Sequence, residues 1–274
     1  MSDTEGAFQT SDGVELFTRS WTVEKPRYEL LLIHGLGEHS GRWAGPMSFL
    51  TARGANVYTY DLRGHGRSAG ARTDVERFDR FYDDISEMAE ATVAVSGRPW
   101  VLYGHSLGGL QSVGYLMGER RPQPNLAVLS APAMTANIPA PLRAAASIFG
   151  RLAPGLRFPN SIKGEQLSKD PAVGEAYFAD ELVETKVTAR LGKSVFDAQA
   201  ELASELGAIT TPTLVIHGAD DSLVPPSASA GLARSEGVER RVYPKLRHEL
   251  HNEPEPEGAD VMGDVADWIE AKLF

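Results

Sequence analysis

The nine residues from Val101 to Gly109 constrain this chain more than any other stretch. Trp100 to Tyr103 is a short run of aromatic, β-branched and aliphatic residues, the composition of a buried strand. From Leu107 onward, Leu110, Val113, Gly114 and Met117 follow at three- and four-residue steps, the period of a helix. A strand passing straight into a helix leaves room for only a very tight turn, and Ser106 sits on it between Gly104 and Gly108. A Cβ at either flank would collide with neighbouring backbone. The pattern is G-x-S-x-G, a turn that pushes a serine hydroxyl out at a strand tip. The helix start leaves free N–H groups close by, where negative charge would develop. A glycine-rich connection with an idle serine is the competing reading. A dinucleotide loop fits less well, because Gly104, Gly108 and Gly109 lack G-x-G-x-x-G spacing.

Strands and helices alternate along the rest of the chain. Ala7 to Thr10 and Val14 to Arg19 flank Ser11-Asp12-Gly13 and predict a β-hairpin. Tyr28 to Ile33, Asn56 to Tyr60, Leu126 to Leu129, Thr213 to Ile216 and Arg240 to Tyr243 predict strands. Helical faces lie at Pro46 to Ala52, from Phe78 to Thr92, and at Asp260 to Leu273. Apolar strands separated by helices predict a parallel sheet covered on both faces, with ligands at the carboxyl ends of its strands. Ser106 is at such an end.

The pattern breaks after Ser130. Ala131 to about Asp197 holds many prolines and glycines, two helical stretches and no clear strand. Ile138, Leu142, Ala145, Phe149 and Leu152 form one apolar stripe within it, which would suit either core packing or a cap over the site. Leu191, Val195, Ala198, Leu202 and Leu206 then form a helix that returns the chain to the sheet. The predicted organisation is a core in two parts, residues 1–130 and 198–274, around a cap of residues 131–197.

A formal charge of −10 argues against binding nucleic acid or anionic lipid through a basic field, and favours neutral or weakly charged ligands. No cysteine is present, which excludes disulfides, thiol nucleophiles and thiolate metal sites. The start, Met1-Ser2-Asp3-Thr4-Glu5, is acidic and lacks a signal-peptide core, and no apolar run reaches membrane-spanning length. The expectation is a cytoplasmic protein, with peripheral contact to a membrane or micelle through the Ile138–Leu152 face.

A serine hydroxyl is a poor nucleophile until a base takes its proton, and the base needs an acid to orient it. In the chain order Ser…Asp…His, Asp221 follows the Thr213 strand and His248 follows the last strand. Asp220 is the competing acid and His251 the competing base, farther from its strand end. His248, His251 and Glu253 lack H-E-x-x-H spacing, and the chemistry calls for no metal or cofactor. Oxyanion stabilisation needs two N–H donors. Leu107 supplies one, and Leu36, in His34-Gly35-Leu36-Gly37, is the candidate for the other. His34, His65, His105 and His217 read as structural, and Asp61, Arg63 and Arg67 as braces of their loop.

His34-Gly-Leu-Gly-Glu-His-Ser-Gly-Arg-Trp43, Asp61-Leu-Arg-Gly-His-Gly-Arg-Ser68, Gly104-His-Ser-Leu-Gly-Gly109, Gly218-x-x-Asp221-x-x-Val224 and the Tyr243…His248-Glu tail stand in this order along the chain. Together they resemble the monoacylglycerol lipases, α/β-hydrolases related to lysophospholipases. The first stretch is the most discriminating; the others are shared with many esterases. The resemblance implies an α/β-hydrolase fold, with a mostly parallel eight-stranded sheet, helices on both faces and a helical cap. It implies Ser106 as nucleophile, Asp221 as acid, His248 as base, and Leu36 and Leu107 as oxyanion donors. Glu38 and Arg42 would shape the pocket near the glycerol end, or else brace their loop as an ion pair. The implied substrate is a monoacylglycerol. A carboxylesterase or lysophospholipase of the same mechanism is the alternative, and a non-catalytic ligand-binding protein is a third reading. The cap carries no motif that matches the family.

Overall fold

The computed structural model describes residues 2–274. Its first element is the expected hairpin: β1 (Ser2–Gln9) pairs antiparallel with β2 (Glu15–Thr22) across a turn in which Gly13 has φ 86°. Next come β3 (Tyr28–Ile33), α1 (Ala44–Ala52), β4 (Ala55–Tyr60), α2 (Arg80–Ala91), β5 (Trp100–His105), α3 (Leu107–Met117) and β6 (Leu126–Ser130). After an insertion the chain returns through β9 (Thr213–Gly218), β10 (Val238–Tyr243) and α8 (Glu257–Leu273). The eight-stranded sheet has the order β1-β2-β4-β3-β5-β6-β9-β10, parallel from β4 to β10.

Every residue of β3, β5 and β9 is buried, so alternation divides each strand between two cores. Leu31 and Ile33 face a cluster containing Phe81 and Ile85 of α2 and Leu110 and Val113 of α3. Leu30 and Leu32 face the opposite cluster, with Met47 and Leu50 of α1 and Val261, Val265 and Ile269 of α8. This two-sided burial is why the central strands read as continuous apolar runs.

The insertion runs α4 (Ala140–Leu152), β7 (Arg157–Pro159), α5 (Gly164–Leu167), α6 (Pro171–Ala179), β8 (Lys186–Thr188) and α7 (Ala189–Ser204). The expectation of two helices and no strand needs correction. Three helices precede α7, and β7 and β8 form a small antiparallel pair through Phe158 and Val187. Three-residue strands, one ending on a proline, are too short for alternation to register. Helix α7 is continuous through residues 197 and 198: Leu191, Ala198 and Leu202 all join the core cluster on the α2–α3 side.

The insertion is tied to the sheet's loops by backbone. Glu184 N–H donates to Gly37 O at 2.8 Å, Glu249 N–H to Leu167 O at 2.8 Å, and His248 N–H to Gln166 O at 3.3 Å. Side chains add His39 Nε2 with Asp180 at 2.8 Å, Gln199 Nε2 donating to Ala133 O at 2.8 Å, and an Arg190–Asp74 ion pair.

Candidate active site

Ser106 follows β5 and caps α3 with φ 53° and ψ −115°, a backbone conformation that L-residues seldom adopt. Three backbone hydrogen bonds hold it there. Its N–H donates to Ser130 O at 2.9 Å, and its carbonyl accepts from Leu110 N–H at 3.0 Å and Ala133 N–H at 2.9 Å. The flanking glycines are required as expected. A Cβ on Gly104 would strike Ser112 Oγ and Gly108 O, and one on Gly108 would strike the Ile33 and His34 carbonyls. The serine stands at the carboxyl end of a central strand, against the loop that follows β3.

His248 and Asp221 come from the loops after β10 and β9. Asp221 Oδ2 lies 2.7 Å from His248 Nδ1, with both side chains buried. Asp221 Oδ1 accepts from Leu223 N–H at 2.9 Å and Val224 N–H at 2.8 Å, which fixes the plane of the carboxylate. His217 Nε2 lies 3.3 Å from Oδ2, so this histidine is a buried hydrogen-bonding group, as read from the sequence. Burial opposes ionisation of Asp221. The charge of His248 and the hydrogen bonds from His217, His248 and Val224 N–H outweigh it, holding the carboxyl well below the usual range. At His248, burial pushes the imidazole down, but the charge and hydrogen bond of Asp221, then the charges of Glu249 and Glu38, leave it raised. Asp220 is exposed one residue earlier. His251 is buried and stacked on Trp43, ring centroids 4.0 Å apart, and burial lowers it to about 4.

The loop after β3 brings Leu36 to the same place. Among the described residues neither the Leu36 nor the Leu107 N–H has a hydrogen-bond acceptor; Leu107, first residue of α3, has none within its helix. Glu38 braces this loop. Its Oε1 accepts from Gly35 N–H at 2.6 Å, and its Oε2 from Trp43 Nε1 at 3.1 Å and Arg42 Nη1 at 3.0 Å. Arg42 therefore forms the loop-bracing ion pair that stood as the alternative to a pocket role. It also makes a two-pronged bond to Glu249, Nη1 and Nη2 each at 2.8 Å. Burial would keep Glu249 neutral, but the charge and hydrogen bonds of Arg42 hold it ionised, at about 2. Sequence reasoning assigned Glu249 no role. The available signal was an acid directly after the candidate base, in a loop bound to be buried.

Ser106, Leu107, Leu36, Glu38, Arg42, His248 and Glu249 line one cleft. Its remaining walls are largely apolar, and the insertion contributes Ile138, Ile162, Leu167, Tyr177 and Val195. A second apolar cavity shares Leu36, Ile138, Asn160 and Val195 with the first and extends under α4 to Leu142 and Phe158. Ile138 and Leu142 thus line the cleft and the cavity beside it, as a cap over the site would, while other residues of the stripe do not. The exposed apolar residues of this region are Ile148, Phe149, Leu152 and Leu156, with Leu152 78% exposed.

The sheet, the strained serine turn and the His–Asp pair at one rim define an α/β-hydrolase. The Hydrolase_4 family model, described as serine aminopeptidase S33, matches residues 24–255. A monoacylglycerol lipase from Mycolicibacterium smegmatis is 35% identical over 98% of both chains. Phospholipase YtpA of Bacillus subtilis is 26% identical over 87% of this chain and 94% of its own. The crystal structure of the Paleococcus ferrophilus monoacylglycerol lipase superposes with a TM-score of 0.85 at 30% identity, covering 94% of this chain and 99% of the other. A Saccharomyces cerevisiae monoglyceride lipase in complex with a substrate analog has the same fold, with a TM-score of 0.88 at 21% identity over 99% and 95% of the two chains. The chain belongs to the Hydrolase_4 family, and within it to the monoacylglycerol lipases.

Proposed function

We propose that this protein hydrolyses monoacylglycerols to fatty acid and glycerol through an acyl-enzyme on Ser106. One observation carries the reading: a cleft that is apolar along its length meets Ser106 and His248 and is bounded by the polar group of Glu38, Arg42 and Glu249. A single acyl chain suits the apolar walls, which continue into the cavity under α4, and a small hydroxylated head group suits the polar end.

In this reading Ser106 Oγ attacks the ester carbonyl while His248 takes its proton. Asp221, on Nδ1, holds the tautomer that leaves Nε2 as the base and steadies the imidazolium that forms. The Leu36 and Leu107 N–H groups receive the oxyanion, for which their lack of protein acceptors suits them. His248 then protonates the departing glycerol oxygen, and water repeats the sequence on the acyl-enzyme. No step draws on a metal or cofactor. Residues 131–197 form the cap, and the exposed Ile148, Leu152 and Leu156 are the part of it that meets a membrane or micelle.

The test is hydrolysis of 1-oleoylglycerol together with labelling by a fluorophosphonate. The expected result is turnover with a single label on Ser106, and an unlabelled, turnover-deficient protein would overturn the reading. The relative named as a phospholipase supports a second reading, action on lysophospholipids. Rates on lysophosphatidylcholine, 1-oleoylglycerol and a short soluble ester rank the three substrate classes.

A further inference from the structure

The polar end of the cleft carries an unmatched charge. The side chains of Glu38, Arg42 and Glu249 are only 4%, 12% and 3% exposed, and all three line the cleft. Arg42 is the one Lys or Arg among the lining residues, so two carboxylates face one guanidinium. The fork of Arg42 is filled by Glu249 in a two-pronged pair, which is already neutral as a unit. Glu38 shares Arg42 Nη1 at 3.0 Å and is otherwise held by two uncharged donors, the Gly35 amide and the Trp43 indole, so one guanidinium serves two carboxylates. With His248 neutral, as it must be to act as base, the neighbouring groups supply no compensating cation. His105 is kept neutral by burial, Asp221 adds a negative charge behind His248, and His251 is kept neutral by burial against Trp43. Tyr177, whose ring lies 4.9 Å from the Arg42 guanidinium carbon, is uncharged.

We infer that Glu249 sets the head-group selectivity of this site: with Glu38 it leaves the polar end one buried carboxylate in excess, which rejects esters with anionic head groups and admits uncharged ones. The inference rests on the monoacylglycerol reading of the cleft and adds the residue that enforces it. A buried unit charge several ångströms from a bound phosphate is expected to alter its affinity by about tenfold. Removing the charge of Glu249 leaves Arg42 paired with Glu38 alone, and the excess disappears.

The experiment compares kcat/KM for 1-oleoyl-lysophosphatidate with kcat/KM for 1-oleoylglycerol, in the same uncharged detergent. Taking the ratio cancels any loss of rate common to both esters, such as a displaced loop. Glu249→Gln is expected to raise the anionic-to-neutral ratio by about tenfold. Glu249→Asp keeps the charge and should leave the ratio within about twofold of wild type, even where both rates fall. Arg42→Gln should move the ratio the other way. If Glu249→Gln is not recovered folded, Glu38→Gln removes the excess from the other carboxylate and should raise the ratio in its place. A ratio that stays put in the folded Gln variant, or moves equally in Glu249→Asp, overturns the inference while leaving monoacylglycerol hydrolysis intact. A wild-type protein that does not cleave 1-oleoylglycerol overturns the reading beneath it, and the inference with it.

Discussion

The loops at the carboxyl ends of the strands and the insertion that lies against them are built differently. In the loops, polar side chains are buried and multiply bonded: Asp221 accepts two backbone N–H bonds besides facing two histidines, and Glu38 accepts from a backbone amide, an indole and a guanidinium. In the insertion, α4 buries one residue, Ala146, while leaving Ile148 and Leu152 exposed. Acyl transfer requires donors and base to stay within a fraction of an ångström of their working positions, which suits groups anchored to a buried sheet. Holding an acyl chain requires apolar wall, which tolerates looser construction. The contrast predicts that substitutions on the sheet side cut turnover of every ester, whereas those in the insertion discriminate between esters.

The largest effects test the sheet side. Ser106→Ala and His248→Ala should each lower kcat by roughly 10⁶ on long and short esters alike. A variant that kept fast turnover of short esters would break the contrast. Asp221→Asn should cost about 10⁴ in kcat, from the wrong imidazole tautomer, while Asp220→Asn stays within about twofold. Equal losses in steady-state assays would mean that the buried carboxylate is not the one that matters.

On the insertion side, Val195→Trp should fill the junction of the two cavities. We expect kcat/KM for an oleoyl ester to drop by about tenfold, with a butyryl ester little changed. A uniform drop would show that the insertion supports the chemistry as well as the chain. Acidity sharpens the same division. His248 acts as base only when neutral, and its ionisation is raised, so kcat/KM should fall as pH decreases through a value above the ordinary ~6.5. Glu249→Gln removes a nearby negative charge, lowers the pKa of the imidazole and should shift that limb to lower pH. A shift in the opposite direction would contradict the electrostatics described here. The smallest effect on catalysis belongs to Ile148→Asp with Leu152→Asp. Flotation with neutral vesicles should be lost while soluble-ester rates stay within about twofold.

Much of the sheet side was legible in the sequence. Gly104 and Gly108 announce the turn because a Cβ at either strikes atoms of the same local strand–turn–helix unit or its immediate neighbour strand. Asp221 stood out from Asp220 partly through a motif, since adjacent loop residues look alike until one is buried. The insertion was less legible. Strands β7 and β8 are too short for a period, and the α4 stripe was read as one face although Leu142 points into a cavity and Leu152 into solvent. Helix α7 crosses from insertion to core without any break in its pattern.

What the sequence by itself determined is the sheet, its helices and the strand tip on which Ser106 stands, because burial on two faces and the steric needs of a tight turn are written in neighbouring residues. Only the tertiary structure decided that Glu249 would meet Arg42, 207 positions away, on the guanidinium that Glu38 already holds from within its own loop. A charge pair between two loops has no local period. It exists because both loops end at one buried rim, where desolvated charges must find partners.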